Sequence, residues 1–199
     1  MTYLNAAIAL VAAYLLGSIP FGLIAGKLTK GIDIRDHGSR NLGATNAFRT
    51  LGPLPGILTL IADGAKGAAA VLLAKALVTG PGTLGVLVPV LCVLVAMAGH
   101  TWTVFAGFRG GKGVAAGAGG FLALAPIATA AVLVVWAVSF AASGYVSVGS
   151  ITAAAALPFS VIFLCHGGDR RYLIAVGLLA AVLVLVRHIP NMKRLAAGT

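Results

Sequence analysis

Acidic residues are scarce in this chain: four among 199, against 14 Lys and Arg, for a formal net charge of +10. Charge of either sign is thin, at 9% of residues, while 60% are hydrophobic. A soluble domain needs far more charge on its surface, so the composition excludes one and indicates an integral membrane protein. Cysteine is nearly absent. Cys92 and Cys165 lie in apolar runs and read as small hydrophobes, not as a disulfide framework. There is no His/Cys ligand set, no carboxylate pair and no Ser-His-Asp arrangement, so no metal and no cofactor is expected. The positive excess suits cytoplasmic loops, anionic headgroups and phosphorylated substrates. With no soluble basic domain to hold it, nucleic acid is not expected as a partner.

What the chain has instead is long apolar runs. A spanning helix needs about 20 such residues, and 3–26, 53–78 and 85–106 qualify, with shorter runs at 150–166 and 172–187. The uncharged run 114–142 is interrupted at Ala125-Pro126, and reads as one overlong helix or as two short ones turning near Pro126. Positive charge decides between them. Lys27, Lys30, Arg35, Arg40 and Arg49 mark the polar segment 27–52, Arg109 and Lys112 mark 107–113, and Arg187, Lys193 and Arg194 mark the tail from 188. Two helices within 114–142 place all three segments in the cytoplasm; one helix does not. The expectation is an all-α membrane protein, a single multi-pass domain over 1–199. It has about seven transmembrane helices, some short, with cytoplasmic loops forming the site. Arg170 and Arg171 then stand outside as an exception. No Lys or Arg precedes the first run, the reverse of a signal peptide, so it reads as an uncleaved span with its N-terminus outside.

Three polar clusters interrupt the apolar runs. The first, "GSRNLGATN" from Gly38 to Asn46, is followed by Arg49. Gly38 and Gly43 let backbone N–H groups converge on an anion, and Ser39, Asn41, Thr45 and Asn46 add short hydrogen-bonding side chains. Arg49 supplies a planar fork suited to phosphate, and a helix starting after Thr45 would add its N-terminus. An interfacial loop without a ligand has the same composition. The second cluster, "GHTWTVFAGFRGGKG" from Gly99 to Gly113, ends in Gly110, Gly111, Lys112 and Gly113. It fails as a nucleotide-binding P-loop, because Lys112 is followed by Gly and the glycine spacing is short. His100 reads as a satisfied core histidine, and Gly113 and Gly117 also suit helix packing. In the third cluster, "RHIPNMKRL", His188 and Asn191 share a face of any helical turn that Pro190 leaves intact. Asp63 and Lys66, three apart inside an apolar run, read as a structural ion pair, with a role for Lys66 at the site left open. Ser147, Ser150 and Thr152 either donate hydrogen bonds or pack helices. Basic loops on a small membrane protein also suit an anion transporter, but no repeat and no midplane site is visible.

The three clusters, in this order and on this hydropathy profile, resemble the bacterial acyl-phosphate:glycerol-3-phosphate acyltransferase family. Its motifs resemble GSGNxGATN, GHxxPxFxxFKGGKG and HxxNI; here they read "GSRNLGATN", "GHTWTVFAGFRGGKG" and "HIPNM". "AYLLGSIPFG" and "DGAKG" extend the likeness across the chain. Arg40 replaces a Gly, Thr103 a Pro, Arg109 a Lys, Pro190 a frequent Glu and Met192 an Ile. The resemblance implies transfer of an acyl group from acyl phosphate to the sn-1 hydroxyl of glycerol 3-phosphate. That reaction gives lysophosphatidic acid, at the cytoplasmic side of a bacterial inner membrane. By motif position it implies that Ser39, Arg49, Lys112, His188 and Asn191 are critical. It assigns acyl phosphate to the first loop with Asn41, Thr45 and Asn46, and glycerol 3-phosphate to Lys112 with Gly110, Gly111 and Gly113.

Overall fold

The computed structural model describes residues 2–80 and 82–198, and every regular element among them is a helix. Nine α-helices follow in order: α1 Thr2–Ser18, α2 Phe21–Lys30, α3 Ala44–Leu51, α4 Pro53–Leu77, α5 Thr83–Thr101, α6 Val114–Leu124, α7 Pro126–Ser143, α8 Val146–Leu164 and α9 Arg170–Ala196. Short 3₁₀ turns occupy Ile34–Asp36 and Val104–Ala106. Six stretches are long and apolar enough to cross a membrane: Thr2–Lys30, Pro53–Leu77, Thr83–Ala106, Pro126–Ser143, Val146–Leu164 and Arg170–Ala196. With the shorter apolar α6, this is the all-helical membrane architecture that composition dictates. Large apolar side chains face outward, among them Leu54, Leu58, Ile61 and Leu72 on α4. That arrangement suits a lipid solvent.

Prolines set the breaks. Pro126 opens α7 at its first turn and ends α6, so the run 114–142 divides where expected, giving a seventh apolar helix of only 11 residues. The run 3–26, expected as one helix, is two. Pro20 lacks an N–H and disfavours helical backbone at Ile19, so α1 stops at Ser18 and α2 starts at Phe21. Pro190 does the opposite. Helix α9 runs through it to Ala196, because its buried stripe of Leu173, Val176, Ala180, Val184 and His188 keeps helical spacing up to that turn. Helices α7 and α8 are joined by the short Gly144-Tyr145 turn.

The chain divides into two compact units, one up to Ala123 and one from Leu124. In the first, α1 packs on α4 and α5, and α4 packs on α3 and α5. Ala6, Ala9, Ala13, Ala70, Ala74 and Ala96 line this core, so the helix backbones approach closely. The closest approach joins α4 to α6: a Cβ at Gly67 would strike the Ala116 backbone, and one at Gly119 the Gly64 backbone. Farther along, Lys75 Nζ donates to the Ala123 carbonyl at 2.8 Å. The two helices therefore run side by side in the same direction. In the second unit α8 packs on α7 and α9. Ser160 Oγ donates to the Ala128 carbonyl at 2.7 Å, and Trp136 stacks on Phe140 at 5.2 Å. Ser150 and Thr152 bond back to carbonyls of their own helix α8.

Candidate active site

The first cluster folds around one buried side chain. Asn46, 1% exposed, accepts the Ser39 N–H at 2.8 Å through Oδ1. Its Nδ2 donates to the carbonyls of Ile34 at 2.9 Å, Asn41 at 2.9 Å and His37 at 3.2 Å. Asn41 Oδ1 accepts the Gly43 N–H at 2.8 Å. Both carboxamides, expected at a substrate, thus hold the loop in shape. Gly38 takes φ 56°, and a Cβ there would land on Asn46 Oδ1. Arg40, in place of the glycine of the resembled motif, also takes a left-handed φ of 56°. Helix α3 starts at Ala44 with Gly43 as its cap. Thr45 and Arg49, both exposed, are four residues apart and share one face of it. Half-buried Ser39 stands just before.

An unforeseen ion pair fastens this loop to the second cluster. Asp33 caps the Ile34–Asp36 turn by accepting the Arg35 N–H at 2.9 Å, and its carboxylate meets the Arg35 guanidinium at 2.6 Å. Arg35 Nη1 then donates to the Ala106 carbonyl at 2.8 Å. The hydrogen-bonding guanidinium is the main reason the Asp33 carboxyl is held down at about 2, below its ordinary 3.8. Ile34, Leu42, Ala47, Leu51 and Ala106 pack together beneath this tie. Nothing in the local spacing of residues 33–36 announces a partner 71 residues away.

In the second cluster Gly107 and Phe108 both take left-handed backbone, φ 64° and 60°. The chain then returns along the end of α5: Gly110 N–H donates to the Thr101 carbonyl at 3.1 Å, and Gly111 N–H to the His100 carbonyl at 3.0 Å. These two amides, expected to cradle phosphate, are engaged within the protein. Lys112 follows, half-buried, and Gly113 at φ 79° opens α6. The Thr103 hydroxyl donates to the Ser18 carbonyl, a bond the proline of the resembled motif would lack. Tyr14 OH donates to the Trp102 carbonyl at 2.7 Å.

Below this segment lie three buried ionisable groups. Lys66 Nζ is 2.8 Å from Asp63 Oδ1, as the structural pairing expects, and donates to the Ile19 carbonyl at 2.7 Å. His100 Nδ1 is 3.4 Å from the same Asp63 oxygen. Ser18, Pro20, Phe21, Leu42 and Thr103 line a small recess with them.

The third cluster belongs to the second unit. His188 is buried on α9 and its Nδ1 lies 2.8 Å from the Val184 carbonyl. A carbonyl only accepts, so Nδ1 is the donor in this contact. The continuous helix puts Asn191 on the same face, one turn on.

Comparison with known proteins shows what the chain is similar to. A family model described as glycerol-3-phosphate acyltransferase matches residues 7–198. A Desulforamulus reducens protein named glycerol-3-phosphate acyltransferase is 44% identical over 100% of this chain and 96% of its own length. A Moorella thermoacetica protein, glycerol-3-phosphate acyltransferase 2, is 47% identical over 96% of this chain and 94% of its own. Among solved structures, the crystal structure of PlsY (YgiH), an integral membrane glycerol 3-phosphate acyltransferase in its glycerol 3-phosphate form, superposes with a TM-score of 0.85. It shares 36% identity and covers 97% of this chain and 92% of that one. A lysophosphatidic acid form of PlsY gives 0.83. Sequence motifs, helical architecture and whole-length likeness agree, and the chain belongs to the glycerol-3-phosphate acyltransferase family of integral membrane proteins.

Proposed function

We propose that this chain transfers a fatty acyl group from acyl phosphate to the sn-1 hydroxyl of glycerol 3-phosphate, releasing lysophosphatidic acid and inorganic phosphate without a metal. The observation that carries this reading is the Arg35 tie, which fastens the loop before Thr45 and Arg49 to the segment leading to Lys112. Two cationic segments held together in a small membrane unit suit a reaction with two phosphorylated substrates. The PlsY forms with glycerol 3-phosphate and lysophosphatidic acid support the acceptor and the product class. The donor rests on the motifs.

The acceptor oxygen attacks the acyl carbon, and a tetrahedral oxyanion forms. It collapses by breaking the bond between that carbon and the phosphate oxygen, while the hydroxyl proton passes to a phosphate oxygen. Acyl phosphate is already activated, so the protein's part is to position two phosphates and stabilise the oxyanion. Ser39, Thr45 and the first amides of α3 hold the acyl phosphate, on a loop that Asn41 and Asn46 shape. Lys112 meets the phosphate of glycerol 3-phosphate, in the segment formed by Gly110, Gly111 and Gly113, and Arg49 adds a second charge. A substrate phosphate oxygen, with a second pKa near 6, serves as base, and His188 and Asn191 position it. The chain works as one multi-pass domain in a bacterial cell membrane, its basic loops and site on the cytoplasmic side.

The test is turnover by the detergent-purified protein with acyl phosphate and labelled glycerol 3-phosphate in the presence of a chelator. Labelled lysophosphatidic acid is the expected product. Product that forms only from acyl-CoA, or only without chelator, sinks the proposal.

A further inference from the structure

The mechanism above leaves three buried acid and base side chains of the first unit without a task. Asp63, Lys66 and His100 are 1%, 4% and 7% exposed. A buried ion pair seldom stabilises a fold relative to apolar residues of similar volume, because desolvation offsets the attraction. Its retention calls for another reason, and the contacts of His100 supply one. The His100 carbonyl accepts the Gly111 N–H, and a Cβ at Gly111 would land on His100 Nε2. The ring therefore fills the space that a side chain at position 111 would take, directly before Lys112. Its other nitrogen faces Asp63, Asp63 holds Lys66, and Lys66 is anchored on the Ile19 carbonyl at the α1–α2 break.

We infer that His100 is a positioning residue for glycerol 3-phosphate binding, fixing the backbone of the Gly110–Gly113 segment, and that the Asp63–Lys66 pair fixes His100. This deepens the acyltransferase reading and rests on it. The relay runs from the α1–α2 break at Ile19 through α4 and the end of α5 to the segment that carries Lys112. A loosened segment presents its cation in many orientations, which weakens binding of the phosphate in ground and transition states alike. The signature is therefore a raised KM with kcat little changed.

Full-length protein in detergent is assayed as wild type, His100→Ala, His100→Gln, Lys112→Ala and the charge-free double variant Asp63→Leu/Lys66→Met. The double variant stays folded if the pair adds nothing to stability. His100→Ala and the double variant are each expected to raise KM for glycerol 3-phosphate about tenfold. Their kcat stays within about threefold of wild type, and KM for acyl phosphate is unchanged. His100→Gln, which keeps a nitrogen beside Gly111, recovers most of the loss. Lys112→Ala combined with His100→Ala is little worse than Lys112→Ala alone, because both act on one contact. Amide hydrogen exchange at residues 108–113, which does not depend on turnover, speeds up about tenfold in the double variant. Folded variants with wild-type KM and wild-type exchange overturn the inference, as does a failure of both to fold, which makes the cluster a folding element. Wild type that binds no glycerol 3-phosphate overturns the acyltransferase reading instead, with the exchange result still deciding the relay.

Discussion

Arg40 stands where the resembled motif carries glycine, and it does so in the backbone conformation that glycine favours, φ 56°. A left-handed residue with a Cβ costs about 1–2 kcal/mol, and glycine's extra freedom in the unfolded chain returns about 0.5–1 kcal/mol of that. Arg40→Gly is therefore expected to stabilise the protein by about 0.5–1 kcal/mol, read as a higher unfolding midpoint in detergent. Arg40 is exposed, so KM for acyl phosphate should stay within about twofold; a larger rise would place its guanidinium on the donor. At His188 the opposite kind of evidence is needed. The Val184 carbonyl holds its Nδ1, and if the ring only positions substrate, His188→Gln retains measurable turnover while His188→Ala loses most of it. A general base is worth about 10²–10⁴-fold, and both variants would then fall equally.

Between elements, small residues and one ion pair carry the specificity of contact. On α4, Gly67 abuts the Ala116 backbone, whereas a Cβ at Gly64 would meet only the Ala115 carbonyl at an ordinary 3.8 Å. Gly67→Ala is expected to destabilise by about 3 kcal/mol, the upper end of overpacking, whereas Gly64→Ala is expected to be neutral or to stabilise by up to about 1 kcal/mol, because alanine favours the helix over glycine. Thermal unfolding of the two proteins side by side makes the comparison. The Asp33–Arg35 tie has a pH signature. Its carboxyl ionises near 2 when folded against an ordinary 3.8, so its stabilisation is complete above about pH 4 and is lost as pH falls towards 2. Asp33→Asn should cost up to about 1 kcal/mol at pH 7, and the gap to wild type should close on acidification through that window. The hydropathy pattern made most helices legible, since burial in lipid needs only length and apolarity. It could not reveal the break at Pro20, where hydropathy does not dip, nor that α9 passes Pro190. The partners of Asn46 and Arg35 were hidden as well, because both reach chain that only folding brings near.

For the molecule as a whole, charge distribution gives a sidedness that can be measured. If the N-terminus is outside and the chain crosses seven times, single cysteines introduced into a chain lacking Cys92 and Cys165 should label from outside near Gly168. Those at 40, exposed in the same loop, and 193 should not. External labelling at 193 would reverse the assignment. The motifs were legible as motifs, while the hydrogen bonds that Asn41, Asn46, Gly110 and Gly111 make within the protein needed the folded backbone.

The parallel course of α4 and α6 bears on how the substrates travel. Asp63 stands ten residues along α4 from Pro53, about 15 Å at 1.5 Å per residue, and the Gly110–Gly113 segment is held at that level through His100. Helix α6 is short because it begins partway down its neighbour. Irregular backbone at such depth is tolerated only where protein or water covers it. If Lys112 meets the phosphate of glycerol 3-phosphate as proposed, that phosphate needs a hydrated vestibule cut into the bilayer's thickness, and inorganic phosphate released in the proposed transfer would leave by the same wet path. The acyl chain, with no need of water, is free to slip sideways between helices into the leaflet. In the proposed reaction one ester bond joins two molecules that arrive from different solvents, and the depth of a glycine loop would be what lets them meet.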